Sequence, residues 1–330
     1  MESPLPKACP RCGEPRILAP ECPRCGVLYA RAEARAAQLA ARAAPPAPAR
    51  EEPPPPSPAE PEFSPSPSLE GSAWGGELED ARRELRMRLV ALPAALGVAW
   101  LLVKSPLWGG LVRIFLSMWV HELGHAVTAW FCGFPSMPGP WVTHTGEERS
   151  TVVFLMLATA LGGLIIRGYL TRSRVLRVAG ATGLVLQLVG TRVLSPWKGQ
   201  MLVTFGGDGG CLVLGSLLMT SLYARQDSAL RRGQLHWGLL AIGAAAFMDA
   251  FEQWWAARTD FERIPFGQME NVGLSDPSKL VDVHHWGELE LIHRYNGLGL
   301  ACLAALAVLY AVGLLRARAG LRAGEREPGA

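Results

Sequence analysis

The chain has 330 residues, 49% of them hydrophobic and 18% charged, with a formal net charge of +3 and a mean hydropathy of +0.17. A charge that small gives no electrostatic ground for nucleic-acid binding. The average also hides two parts: the first seventy residues are polar and proline-rich, and the remainder, dominated by Leu, Ala, Val and Gly, reads as an all-α polytopic membrane protein.

The N-terminus, MESPLPKACPRCG, has no apolar core and does not read as a cleavable signal peptide. Cys9-Pro-Arg-Cys12 and Cys22-Pro-Arg-Cys25 follow, nine residues apart, each with a glycine after its second cysteine. Four thiolates in two such knuckles can close a tetrahedral zinc site, and the glycines let the backbone turn. So short a unit buries too little apolar surface to fold alone, so metal binding is expected to supply most of its folding free energy. Two disulfides are the competing reading, disfavoured by the paired knuckles. The unit, over residues 1–29, resembles the zinc-ribbon family between Lys7 and Tyr29, with Cys9, Cys12, Cys22 and Cys25 matching the ligands. It lacks a dense basic and aromatic surface, so docking of a cytoplasmic protein is expected rather than nucleic acid.

Ala30–Ala44 is rich in strong helix formers and predicts a short exposed helix. Residues 45–74 begin with a run carrying proline at nearly every second position, which favours an extended, semi-rigid linker over a PxxP ligand. The membrane domain is then expected over residues 75–330.

Seven apolar segments follow: Leu89–Val103, Leu107–Cys132, Thr151–Ile166, Val175–Leu194, Leu202–Tyr223, Leu235–Trp255 and Leu298–Leu315. Arginine-rich flanks at Arg82–Arg88, Arg167–Arg177, Arg225–Arg232 and Arg316–Arg326 are all expected in the cytoplasm. Seven crossings would put the first two flanks on opposite sides, so six are preferred, with Leu89–Val103, short and holding Pro93, re-entrant or interfacial. The N-terminus is then cytoplasmic, the acidic loop Arg258–Arg294 lies outside, and the protein is a multi-pass component of the cell membrane. Cys132, Cys211 and Cys302, isolated in apolar segments, read as packing residues.

The second segment contains His121-Glu122-Leu123-Gly124-His125. On a helix, His121 and His125 lie one turn apart on one face, so both imidazoles can reach one metal ion with Glu122 beside them. This is the H-E-x-x-H arrangement of zinc hydrolases, in which the glutamate takes a proton from water. Ionisable groups in an apolar helix are costly, which favours a metal or proton role over two buried structural histidines. A third ligand is needed, and Asp208, His236, Asp249, Glu252, His284 and His285 are the candidates. Asp208 stands among four glycines; Asp249 and Glu252 precede Trp254-Trp255, which reads as an interfacial aromatic pair; His236 at a helix entrance needs no special role. In the cluster of Asp282, His284, His285 and Glu288, His284 and Glu288 are spaced to share a helix face as a second metal or proton site, although a solvated helix lying on the bilayer and anchored by Trp286 is the more ordinary reading.

The pair His121-Glu122-Leu123-Gly124-His125 and Asp208-Gly209-Gly210 resembles the site-2 protease family of intramembrane zinc metallopeptidases, over Leu107 to Tyr223. That resemblance implies zinc on His121, His125 and Asp208, Glu122 as catalytic base, and a membrane-embedded protein as substrate. Two zinc ions per chain are therefore expected, one in the ribbon and one in the membrane. A catalytically inactive metal-binding scaffold and a transporter or proton-coupled channel are the alternatives.

Overall fold

The computed structural model describes residues 8–9, 12–15, 17, 20–30, 70–224, 228–269 and 273–326. The chain divides into two compact units, Met1–Pro67 and Ser68–Ala330. In the first, the backbone closes each knuckle twice. The Cys9 amide donates to Glu14 O at 2.8 Å and Gly13 to Cys9 O at 2.9 Å; Cys22 donates to Val27 O at 3.0 Å and Gly26 to Cys22 O at 2.9 Å. Gly13 and Gly26 have φ of +75° and +64°, with open space where a Cβ would stand, so glycine serves there for its backbone freedom and not for room. From residue 31, the expected short helix lies outside the described residues, as does the linker up to residue 69.

The second unit is helical. Its long elements are α1 (Glu70–Lys104), α2 (Met118–Phe131), α3 (Thr151–Leu170), α4 (Arg174–Leu188), α5 (Pro196–Met219), α6 (Leu235–Ala256) and α7 (Glu288–Arg326). A short helix Gly109–Val112 and a π turn Arg113–Ser117 lead into α2, a second π turn, Val189–Val193, continues α4, and a 3-10 turn, Thr220–Tyr223, continues α5. Two small antiparallel hairpins interrupt the helices: β1 (Ser136–Pro138) with β2 (Thr143–Thr145), and β3 (Gln268–Met269) with β4 (Gly273–Leu274). Serine caps start several helices: Ser173 Oγ accepts from the Leu176 amide, and Ser195 Oγ accepts from that of Lys198 ahead of Pro196 at the first turn.

Among the described residues, four helices are long and apolar enough to cross a membrane: Leu78–Lys104, Thr151–Leu170, Pro196–Tyr223 and Glu288–Arg322. The first shows that Leu89–Val103 is not a short separate segment. That stretch is the second half of α1, whose polar first half supplies length that an apolar count misses, and the helix runs on through Pro93. α1 also begins at Glu70, inside the stretch assigned to the linker.

Side-chain contacts order the bundle. Near one end, Glu84 and Arg88 of α1 meet Arg231 and Gly313. Farther along, Trp100 and Lys104 reach Glu252 of α6, and at that same level of α6 the lead-in to α2 begins, with Arg113 on Asp249. α2 then climbs antiparallel to α5, from Ser117 beside Cys211 to His125 beside Val203, so it continues away from the arginine end instead of turning back. A buried core of Leu212, Phe247, Trp254, Leu291 and Tyr295 joins α5, α6 and α7.

Candidate metal centre

α2 and α5 touch backbone to backbone. A Cβ on Gly124 would stand 2.2 Å from Gly206 O and 2.8 Å from Gly210 Cα, and one on Gly210 would stand 2.4 Å from Gly124 Cα. Gly206 and Gly210 have the small-xxx-small spacing by which helices in lipid, without a hydrophobic driving force between them, gain contact through close approach. Gly207, between them, opens room for the two imidazoles: its missing Cβ would lie 2.5 Å from His121 Nε2 and 2.6 Å from His125 Nε2.

The ring nitrogens are assigned by their partners. His125 Nδ1 is 2.7 Å from Val203 O, and a carbonyl can only accept, so Nδ1 carries a proton and, in the neutral ring, Nε2 presents a lone pair. His121 Nδ1 is 3.0 Å from Asp208 Oδ1, which fixes the same tautomer, and Asp208 Oδ2 accepts from Trp254 Nε1 at 2.8 Å. The two Nε2 atoms then lie 3.2 Å apart, and 3.1 Å (His121) and 3.0 Å (His125) from Asp276 Oδ2. Asp276 sits in the loop before α7.

With both imidazoles neutral, three electron-pair donors converge on one point, an arrangement that suits a cation. A tetrahedral ion with bonds of about 2.0–2.1 Å spaces its ligand atoms about 3.3 Å apart. The observed triangle of 3.0–3.2 Å fits that spacing, and His121, His125 and Asp276 can hold a metal ion. Glu122, only 5% exposed, stands beside the histidines with Oε2 2.6 Å from Thr143 Oγ1, whose hydroxyl also lies 2.9 Å from the Glu122 carbonyl. The β1–β2 hairpin therefore fixes the glutamate from outside α2.

His121, Glu122, His125 and Asp208 are gathered here, and Asp276, which is not among the candidates read from the sequence, joins them. Asp208 reaches His121 from the far side of the ring, and Asp276 occupies the position facing both Nε2 atoms. The turn that carries Asp276 is built by its neighbours. Ser275 caps a single helical turn, accepting from the Ser278 amide, with Pro277 inside it, and Ser278 Oγ in turn accepts from the Gly267 amide at 3.0 Å. That makes a rigid mount for a carboxylate.

Other expectations are corrected. Trp254 is not interfacial: it is 1% exposed and stacks on Tyr295 at 4.2 Å, Tyr295 stacks on Phe205 at 4.3 Å, and Phe205 meets Trp286 at 5.6 Å, walling the site with aromatic rings. Trp286 is accordingly buried and no surface anchor. His285 has φ of +59°, which breaks the chain between His284 and Glu288, so these two share no helix face. Asp249 pairs with Arg113, Glu252 with Lys104, and His236 is buried, its Nδ1 3.4 Å from Leu230 O.

The four N-terminal cysteines form the second candidate. Cys9 and Cys25 Sγ are 3.8 Å apart and Cys12 and Cys22 Sγ 3.6 Å, too far for disulfides and close to the edge of about 3.8 Å set by a tetrahedral Zn–S site. Burial would raise the Cys22 thiol, but the amides of Arg24 and Cys25 and the neighbouring thiols draw it down to about 6. Cys12 is pushed up to about 12, the Glu14 amide opposing the rise while burial and the three other thiols drive it. A proton is thus held on one side of the Cys12–Cys22 contact and a thiolate favoured on the other.

No family model, curated protein or solved structure matches the chain.

Proposed function

We propose that the second unit is an intramembrane zinc metallopeptidase that hydrolyses peptide bonds of membrane-embedded proteins. The observation that carries this reading is the convergence of His121 Nε2, His125 Nε2 and Asp276 Oδ2 within 3.2 Å, with a buried glutamate on the adjacent residue. Zinc held there supplies a Lewis acid that acidifies water and polarises a peptide carbonyl. Glu122 takes the proton of the attacking water and passes it to the leaving nitrogen, and Thr143 fixes the carboxylate that does so. Asp208 keeps His121 in the tautomer whose Nε2 is bare, and Trp254 holds Asp208 in turn. The substrate is a transmembrane segment unwound at the site, since a helix has no free backbone to offer.

In this reading the membrane is crossed six times. α1 and α2 together make one passage, because α2 starts at the level where α1 ends and continues in the same direction, and α3 to α7 make one each. Every arginine-rich flank then falls on one side, which the positive-inside rule assigns to the cytoplasm together with the N-terminal unit. That unit binds a zinc ion through Cys9, Cys12, Cys22 and Cys25 and serves as a docking module for a cytoplasmic protein.

Glu122→Gln separates base from ligand. The variant is expected to bind zinc like the wild type while cleavage of a reporter membrane peptide falls at least about 100-fold. Undiminished turnover would remove the peptidase reading.

A further inference from the structure

At the arginine-bearing end of the bundle, a cleft of about 350 Å³ opens between α1, the end of α5 and α7, lined by Glu84, Arg88, Tyr223, Leu309, Val312 and Arg316 among others. Its charges do not cancel. Glu84 is the one carboxylate, and it is already occupied: it accepts from Arg88 Nε at 2.7 Å and from Arg231 Nη2 at 2.5 and 2.7 Å. Arg88 spends a second donor on Gly313 O at 3.2 Å, and its Nη2 has no partner among the described residues. Arg316 is exposed and has no ion-pair partner among the described residues. A separate observation is the Tyr223 hydroxyl, which is buried and has no hydrogen-bond partner among the described residues. A buried hydroxyl without a partner costs on the order of 1–3 kcal/mol, a cost that an acceptor in the cleft would remove.

These groups share one complement: an oxyanion that accepts from two guanidinium groups and a phenol. The surroundings narrow the choice. Leu309 and Val312 line the cleft, and Val308 and Val312 are exposed on α7, 65% and 37%, forming an apolar track that leads from the arginines towards the middle of the helix. We infer that the cleft binds the phosphate of an anionic phospholipid, held by Arg316, Arg88 Nη2 and the Tyr223 hydroxyl, with an acyl chain lying along Val312 and Val308. This site is separate from the metal centre, and the inference requires only that the helices lie in a bilayer. Guanidinium groups suit it because they bind phosphate oxygens through paired donors and stay charged at the headgroup level.

The test uses full-length protein in nanodiscs of phosphatidylcholine containing a minor fraction of phosphatidylglycerol, with retained lipid counted by native mass spectrometry after gentle extraction. Wild type is expected to keep phosphatidylglycerol in preference to phosphatidylcholine. Arg316→Gln is expected to weaken retention about tenfold and Tyr223→Phe about fivefold. Both substitutions spare the Glu84–Arg231 pair, so a thermal midpoint near that of wild type is expected for each. Arg174→Gln, which replaces an exposed arginine at the first position of α4, is expected to leave retention unchanged. Equal retention in wild type, Arg316→Gln and Tyr223→Phe would overturn the inference, as would an equal loss in Arg174→Gln, which would assign the effect to bulk surface charge. Stabilisation of the protein by millimolar inorganic phosphate without retention of phosphatidylglycerol would overturn the lipid in favour of a free anion.

Discussion

His121 and His125 each have two nitrogens, and only the surrounding acceptors say which one faces the shared point. With Nδ1 tied to Asp208 in one ring and to Val203 O in the other, the bare nitrogens meet Asp276. Two carboxylates therefore do different work, and their removal should differ in degree. In protein truncated to residues 68–330, Asp276→Ala is expected to abolish zinc binding in competition with a chelator. Asp208→Ala is expected to weaken it about 10–100-fold, the usual effect of losing a group that orients a ligand. Identical affinities in the two variants would refute the division of roles. Asp208→Asn adds a finer test: an amide can keep the bond from His121 Nδ1, but its NH₂ group would face the Trp254 Nε1 donor, so one of the two contacts must be lost.

At the scale of elements, the crossing of α2 and α5 makes the site. A Cβ at Gly124 meets the backbone of α5, which cannot yield as a side chain can. Gly124→Ala should therefore push the helices apart, at a cost of about 1–3 kcal/mol, read as a lower thermal midpoint in detergent together with weaker zinc binding. Gly207→Ala should behave differently, because its Cβ meets the two Nε2 atoms: metal is lost and the crossing kept. Gly162 on α3 has nothing within 4 Å, so Gly162→Ala should leave stability unchanged or raise it slightly, as alanine favours a helix by about 0.5–1 kcal/mol. A thermal midpoint lowered equally by Gly124→Ala and Gly162→Ala would show that the contact does not hold the bundle together.

For the whole molecule, two compact units with two donor sets predict two zinc ions per chain. Removing residues 1–67 should release one and leave the other with the membrane unit, counted by metal analysis of purified protein. Truncated protein that holds no zinc, under conditions that load the cysteine unit, would end the metallopeptidase reading. The path of the chain makes a second prediction. The β1–β2 hairpin reaches Glu122 through Thr143, and the loop before α7 reaches His121 through Asp276, so both approach the same stretch of α2. Single cysteines at Ser136 and Ser275 are expected to react with a membrane-impermeant label from the same side of intact cells. Labelling from opposite sides would rule out the six-crossing path.

Local spacing was enough to place the chemistry that a helix or a knuckle builds by itself. Two histidines four apart with a glutamate between them, and two Cys-x-x-Cys pairs each followed by glycine, are short-range geometry, and the glycines around Asp208 mark a close helix approach. The third donor is a different kind of fact. Asp276 is 155 residues from His121 in sequence, and nothing local distinguishes its carboxylate from that of Asp208; the aim of the Ser275 turn and the tilt of α2 across α5 decide between them. The same holds for Trp254, Trp286 and the first apolar segment. Their composition reads as interfacial or short because hydropathy sums residues along the chain, whereas burial depends on which helix faces lie against one another. Sequence alone thus determined which groups are available, and only the tertiary structure decided which of them meet, because that choice rests on helix crossings set by backbone contacts at glycine.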